Sequence, residues 1–155
     1  MDFVNIFITF TGRINRAKYW IAILIYLAIC VIMVAIGFIY MDSRIVEGTS
    51  LIVWILMFIS SIGVTIKRLH DRNKSGWYVL LFLIAPIILM GAGVVIGTMS
   101  AGAGIVATAL WLIANVIYLW SFVELGCLRG TIGQNQYGPD PLAPEVLTPP
   151  VRTHA

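Results

Sequence analysis

The sequence predicts an all-α integral membrane protein: a four-transmembrane-helix bundle with a short N-terminal interfacial helix and a small cytoplasmic cap. Three observations predict it. Of the 155 residues, 60% are hydrophobic and only 11% are charged. Residues 77 to 123 contain no Asp, Glu, Lys or Arg. That run suits two spans and a turn, because about 20 apolar residues cross a hydrocarbon core of roughly 30 Å. The scarce charge is also concentrated: "IKRLHDRNKSGW", residues 66 to 77, holds Lys67, Arg68, His70, Asp71, Arg72 and Lys74.

Each element follows in order. Phe3, Ile6, Phe7 and Phe10 recur at helical spacing, which predicts a short amphipathic helix at the membrane interface, with Asp2 placed to cap it. "TGRIN" breaks it, and Asn15 is placed to cap the first span, about 17–40. That apolar run exceeds a signal-peptide core and lacks a small-residue cleavage site. "MDSRIVEGTS" is a polar turn. The second span is about 47–66; residues 51–66 alone are short, so the helix starts earlier or continues into the charged stretch. The third span, about 77–98, opens with Trp77 and Tyr78 as interfacial anchors and is kinked at Pro86. "SAGAG" turns the chain into the fourth, about 105–125. Residues 1–141 form one membrane domain, and 142–155 read as a disordered cytoplasmic tail. Cys30 and Cys127 fall at different depths, so no disulfide is expected.

Orientation follows from counting Lys and Arg on each side of the spans. One side carries Arg13, Arg16, Lys18, Lys67, Arg68, Arg72, Lys74, Arg129 and Arg152; the other carries Arg44 alone. The asymmetry predicts cytoplasmic termini and makes residues 66–77 the single cytoplasmic loop.

Orientation needs positive charge only. It does not need His70, Asp71, Asn73, Ser75 or Gly76. "GRINRAKYW" (12–20), "IKRLHDRNKSGW" (66–77) and "GTIGQNQYGPDP" (130–141) together resemble the domain of unknown function 805 family of small bacterial inner-membrane proteins. The resemblance runs from about Phe10 to Pro141 and implies a multi-pass inner-membrane protein without an assigned activity. The family's motif positions fall on Gly12, Arg13, Arg16 and Trp20, then on Arg68, Leu69, His70, Asp71, Ser75, Gly76 and Trp77. In the tail they fall on Gly133, Asn135, Tyr137, Gly138, Asp140 and Pro141. Lys18 and Lys74 read as freely varying positions. All three motifs lie on the side the charge count makes cytoplasmic, which suggests one composite cap.

Within that cap, Arg13, Arg16, Arg68, Arg72 and Asn135 are candidates for binding an anion or a partner, since guanidinium groups pair bidentately with phosphate. Gly12, His70, Asp71, Gly76, Trp77, Tyr137 and Asp140 read as its framework, with Asp71 paired to Arg13 or Arg16 and His70 on a backbone carbonyl. No catalytic residue is assigned, because adjacent residues on a helix do not face each other and no nucleophile accompanies His70 and Asp71. No metal spacing, nucleotide motif or nucleic-acid module occurs, and no cofactor is expected. "GVVIG" (93–97) reads as close packing inside the bundle in preference to a dimer face. Asn115 is expected to hydrogen-bond across helices, and Glu124 to reach the interface or pair with Arg129. Two functional readings stay open. One is a non-enzymatic module whose cap binds anionic lipid or a partner protein. The other is a small oligomeric transporter or channel with Asn115 and Glu124 near its path.

Overall fold

The computed structural model describes residues 3–40, 43–99 and 101–143. Asp2, expected as a cap, lies outside the described residues, as does the predicted tail beyond Ala143. The first helix, α1 (Phe3–Ile8), buries Ile6 against α3. Six residues are too few to hold a helix in water, so neighbours sustain this one. The Ser60 hydroxyl donates to the Phe7 carbonyl at 2.9 Å, and the Phe7 and Tyr26 rings meet edge to face.

Four helices are long and apolar enough to cross a membrane. Helix α2 (Arg16–Ile39) is capped by Asn15, whose side chain accepts from the Lys18 N–H at 2.9 Å. Helix α3 (Arg44–Asp71) is capped by Ser43 and runs through the charged stretch without a break. Both extensions expected of the second span therefore occur. Its 28 residues make about 42 Å of helix at 1.5 Å per residue, more than a bilayer core needs, and the excess carries the charge. Asn73, in the left-handed region at φ 56°, ends the helix, a conformation Asn tolerates.

The third span begins as a π-helical turn, Leu80–Ile84, and continues as α4 (Ala85–Met99). Pro86 has no N–H, and its ring crowds the carbonyl four residues back. The wider turn, with the Ala85 N–H bonded to Leu80 O, absorbs the misfit inside the span. The fourth span joins α5 (Gly104–Ser121) to a second π turn, Phe122–Cys127. Gly93 and Gly97 face α5 at Trp111 and Ala107, so the GxxxG pattern packs α4 on α5 within one chain.

Buried apolar residues gather at the charged end. Ile6, Ile14, Ala22 and Val64 form one cluster, and Leu69, Val79, Phe82 and Leu125 another. Away from that end, Leu, Ile and Val side chains point outward along every span, as lipid permits. No strand forms among the described residues. Cys30 and Cys127 are both free.

The α4–α5 packing is testable by a pair of glycines. A Cβ on Gly93 would collide with the Trp111 indole, whereas one on Gly91 meets nothing within 4 Å. Gly93→Ala should cost about 1–3 kcal/mol, the usual range for overpacking, and lower the melting temperature in detergent. Gly91→Ala should leave it unchanged. Equal melting temperatures would place the helices further apart.

Candidate functional site at the charged end

The end of α3 sends consecutive side chains in different directions, because neighbours on a helix lie about 100° apart. Lys67 turns towards α1. Its ammonium donates to the carbonyls of Asn5 at 2.8 Å and Ile6, and reaches the Thr9 hydroxyl at 3.3 Å. The side chain is fully buried. It places its charge on the carbonyls at the C-terminal end of α1, where a helix favours a cation. The sequence placed Lys67 as topological charge and as a cation at the end of its own helix, not at the end of α1; its adjacency to Arg68 on one helix is the signal that the two must face different neighbours.

Asp71 is the hub. Arg13 donates to its Oδ1 from Nε at 3.2 Å and Nη2 at 3.1 Å, and Arg68 Nη1 donates to Oδ2. All three side chains are within 3% of fully buried. Arg13 also donates to the carbonyls of Thr131, Gly133 at 2.7 Å and Gly138 at 3.2 Å. Those contacts use all five of its N–H donors. Arg68 donates Nε to Leu125 O at 2.6 Å and Nη2 to Leu128 O. Gly12, at φ 91°, makes the turn that brings Arg13 inward. Gly130 lies so close to the Asp71 carboxylate that a Cβ would overlap it.

The tail turns close over this hub. The Asn135 amide donates to His70 O at 2.9 Å, and its Oδ1 accepts from Tyr137 N–H. Tyr137 stacks on His70 at 3.8 Å between ring centroids, and His70 Nδ1 lies 3.2 Å from Gly12 O. Asp140 accepts from the N–H groups of Gly133 and Leu142, both at 2.9 Å. These backbone donors hold its carboxyl below the usual range.

Several expectations are corrected by this geometry. Arg13, Arg68 and Asn135 do not offer donors to a ligand, since their groups close the fold; Arg68 keeps no exposed surface. Asp71 does pair with Arg13, one of the two arginines expected, and Arg68 from one turn back joins them. Glu124 pairs with Arg72 at 3.1 Å and Lys74 at 3.6 Å, not with Arg129; the π turn carrying it shifts the side chain's register towards the loop. Arg72, expected free, is thus engaged, and it also donates to Arg129 O. Lys74, read as freely varying, also lies over the Tyr78 ring. Trp77 projects outward at 77% exposure, since an amphipathic indole at the head of a span faces the interface. Asn115 bonds within its own helix to Trp111 O at 2.8 Å instead of across helices. Gly12, Gly76, His70, Tyr137 and Asp140 meet as expected, with Gly76 against Ile66 and His70.

Among the arginines of the charged end, Arg16 and Arg129 remain unengaged. Both side chains are exposed and make no hydrogen bond or ion pair among the described residues. They line one pocket of about 280 Å³ together with Asn15, Thr131 and Asp140. An apolar pocket of about 290 Å³ among all four spans includes Tyr26, Thr65, Phe82, Leu83, Tyr118 and Ser121. Neither Asn115 nor Glu124 lines it.

Two measurements check the hub. Asp71→Ala strands two buried guanidinium groups and should cost about 3–5 kcal/mol, read as a fall in detergent melting temperature. A double-mutant cycle should show coupling with Arg13→Ala and additivity with Arg16→Ala; additivity for both would remove Arg13 from the hub. For Asp140, a lowered carboxyl stabilises the fold above its ordinary value of 3.8 and loses that contribution as pH falls through the lowered one. Asp140→Asn should therefore flatten the acid limb of a melting-temperature profile.

Comparison with known proteins agrees with this architecture. Residues 7–139 match the family described as Protein of unknown function (DUF805). The Uncharacterized protein YiiR of Escherichia coli (strain K12) is 31% identical over 134 residues, 85% of each chain. The Inner membrane protein YhaH of the same organism is 29% identical over 137 residues, covering 87% of this chain and 88% of that one. The Inner membrane protein YhaI is 27% identical over 135 residues, 87% of each. No solved structure matches. With its three polar motifs knotted at one end of a four-span bundle, the chain belongs to the DUF805 family of membrane proteins.

Proposed function

We propose that the protein is a non-enzymatic module of the inner membrane whose charged end faces the cytoplasm and binds anionic lipid headgroups. The observation that carries the reading is the pair Arg16 and Arg129, unengaged cations lining one pocket. Arg16 is the first residue of α2, so it stands where the chain enters the membrane, at phosphate depth. A helix N-terminus adds its own positive end there. Asp140 and Asp71 share the pocket, but the Asp140 carboxylate is held by two backbone N–H groups and that of Asp71 by Arg13 and Arg68.

The arithmetic is smaller than the raw charge suggests. Each Lys or Arg near an anionic leaflet contributes about 1 kcal/mol. The basic residues of the first two polar segments would give about 7 on that count. Burial removes Arg13, Lys67 and Arg68, and Glu124 engages Arg72 and Lys74. Of those seven, Arg16 and Lys18 are left; with Arg129 from the third polar segment they are worth about 3 kcal/mol. That suits reversible headgroup selection.

Arg16→Gln with Arg129→Gln should reduce retention of co-purified phosphatidylglycerol by about thirtyfold at about 1 kcal/mol each, with phosphatidylcholine retention and melting temperature unchanged. Undiminished phosphatidylglycerol retention would reject lipid binding and favour a protein partner. Orientation has its own test. With Cys30→Ser and Cys127→Ser, a Ser75→Cys chain should react with an impermeant maleimide only after the inner membrane is opened. Labelling in intact spheroplasts would invert the topology.

A further inference from the structure

Asn115 stands in the middle of the fourth span, Gly104–Cys127. Its side chain is exposed. Its amide N–H₂ donates to Trp111 O at 2.8 Å, and its amide oxygen accepts no hydrogen bond among the described residues. An amide at mid-bilayer with an idle acceptor is poorly matched to hydrocarbon. The fold does not cover it: α4 meets α5 at Ala107 and Trp111, and Asn115, one turn beyond Trp111, stays exposed beside that contact.

The residues flanking Asn115 on this open face have a particular spacing. Thr108, Leu112, Asn115 and Leu119 follow one another at intervals of four, three and four. All are exposed, Leu112 at 63% and Leu119 at 65%. A four-three alternation keeps one seam on a partner helix in a left-handed crossing, and a single Asn within an apolar seam fixes register by pairing with its own counterpart. Copies inserted with the same orientation meet in parallel. A two-fold axis along the membrane normal then sets each residue opposite itself, so each Asn115 oxygen can accept from the other's amide.

We propose that α5 is a self-association surface, and that two copies of this chain pair along Thr108, Leu112, Asn115 and Leu119 through reciprocal Asn115 hydrogen bonds. This inference does not rest on lipid binding at Arg16 and Arg129. The seam and the pocket are separate sites, so either can fail alone.

The test uses the full chain with Cys30→Ser and Cys127→Ser, reconstituted in phosphatidylcholine vesicles over a range of protein-to-lipid ratios. Oxidation should cross-link Leu112→Cys and Leu119→Cys but not Ile113→Cys, which is exposed on the opposite face. Energy transfer between labels at Ser75→Cys measures association without altering the seam. Asn115→Leu should weaken it about tenfold, the size of two interhelical hydrogen bonds at their average strength in a membrane, and Asn115→Gln should restore most of it. Residue 115 faces outward, so melting temperature should stay constant across these variants. A monomer at every ratio, equal cross-linking at Ile113, or association indifferent to Asn115→Leu would each overturn the proposal. Cross-linking of the seam to a different protein from native membranes, with no dimer in vesicles, would overturn it as well.

Discussion

The fold depends on one carboxylate holding two guanidinium groups. Burying a charge is expensive unless it is paired and hydrogen-bonded. Asp71 is the anion that lets Arg13 and Arg68 leave water, and the two arginines then need carbonyls for their remaining donors. They find them in the segment from Leu125 to Gly138. Segments more than a hundred residues apart in the chain are thereby drawn to one point. The glycines around it follow from the same constraint. Gly130 gives the carboxylate room, and Gly12, Gly133 and Gly138 supply positive φ where the chain must double back.

The rest of the bundle is held less specifically. Lipid tails are as apolar as Leu, so burying Leu between helices gains little hydrophobic free energy. Small residues and hydrogen bonds must do the joining. That is what appears: Gly93 and Gly97 between α4 and α5, the Tyr26–Ser60–Phe7 chain of hydrogen bonds between α2, α3 and α1, and Trp20 Nε1 on Gly126 O between α2 and the fourth span. The polar end is therefore the organised end, and most of its charge is architecture. Only when the architectural charges are set aside do Arg16, Arg129 and Asn115 stand out, the two guanidinium groups unpaired and the Asn115 amide bonded only through its donor, to Trp111 O.

The four spans were legible because membrane-length apolar runs and polar turns are properties of composition. Asn15 was legible as a cap because the signal is local. The pairing of Asp71 was legible as a choice between Arg13 and Arg16, but not beyond. Composition treats those arginines alike, whereas their fates differ through backbone geometry. Arg13 follows a left-handed Gly12 and turns inward; Arg16 opens α2 and stays out. The partners of Glu124 were missed because a π turn changes the facing of the side chains it carries, and no residue near 122–127 announces one. Pro86 does announce a disturbance, but not which kind. Lys67 was hidden by its own charge, since a lysine beside an arginine in a polar loop reads as solvated until α1 is seen to need its cation.

The same residues also bear on why an oily chain gathers charge at 66–77. Lys and Arg set orientation during insertion, when helices enter before they pack. At that stage Arg13, Lys67 and Arg68 are unpaired cations whose transfer across the bilayer would be costly. In the finished fold they are no longer free charges at all: each is enclosed and bound to carbonyls or to Asp71. On the proposed orientation, one set of residues serves the two stages in turn. Lys would serve as well as Arg for the first stage. The second distinguishes them, because Arg13 directs five donors to four different oxygen-bearing residues, a planar fork of contacts that an ammonium with three donors cannot make.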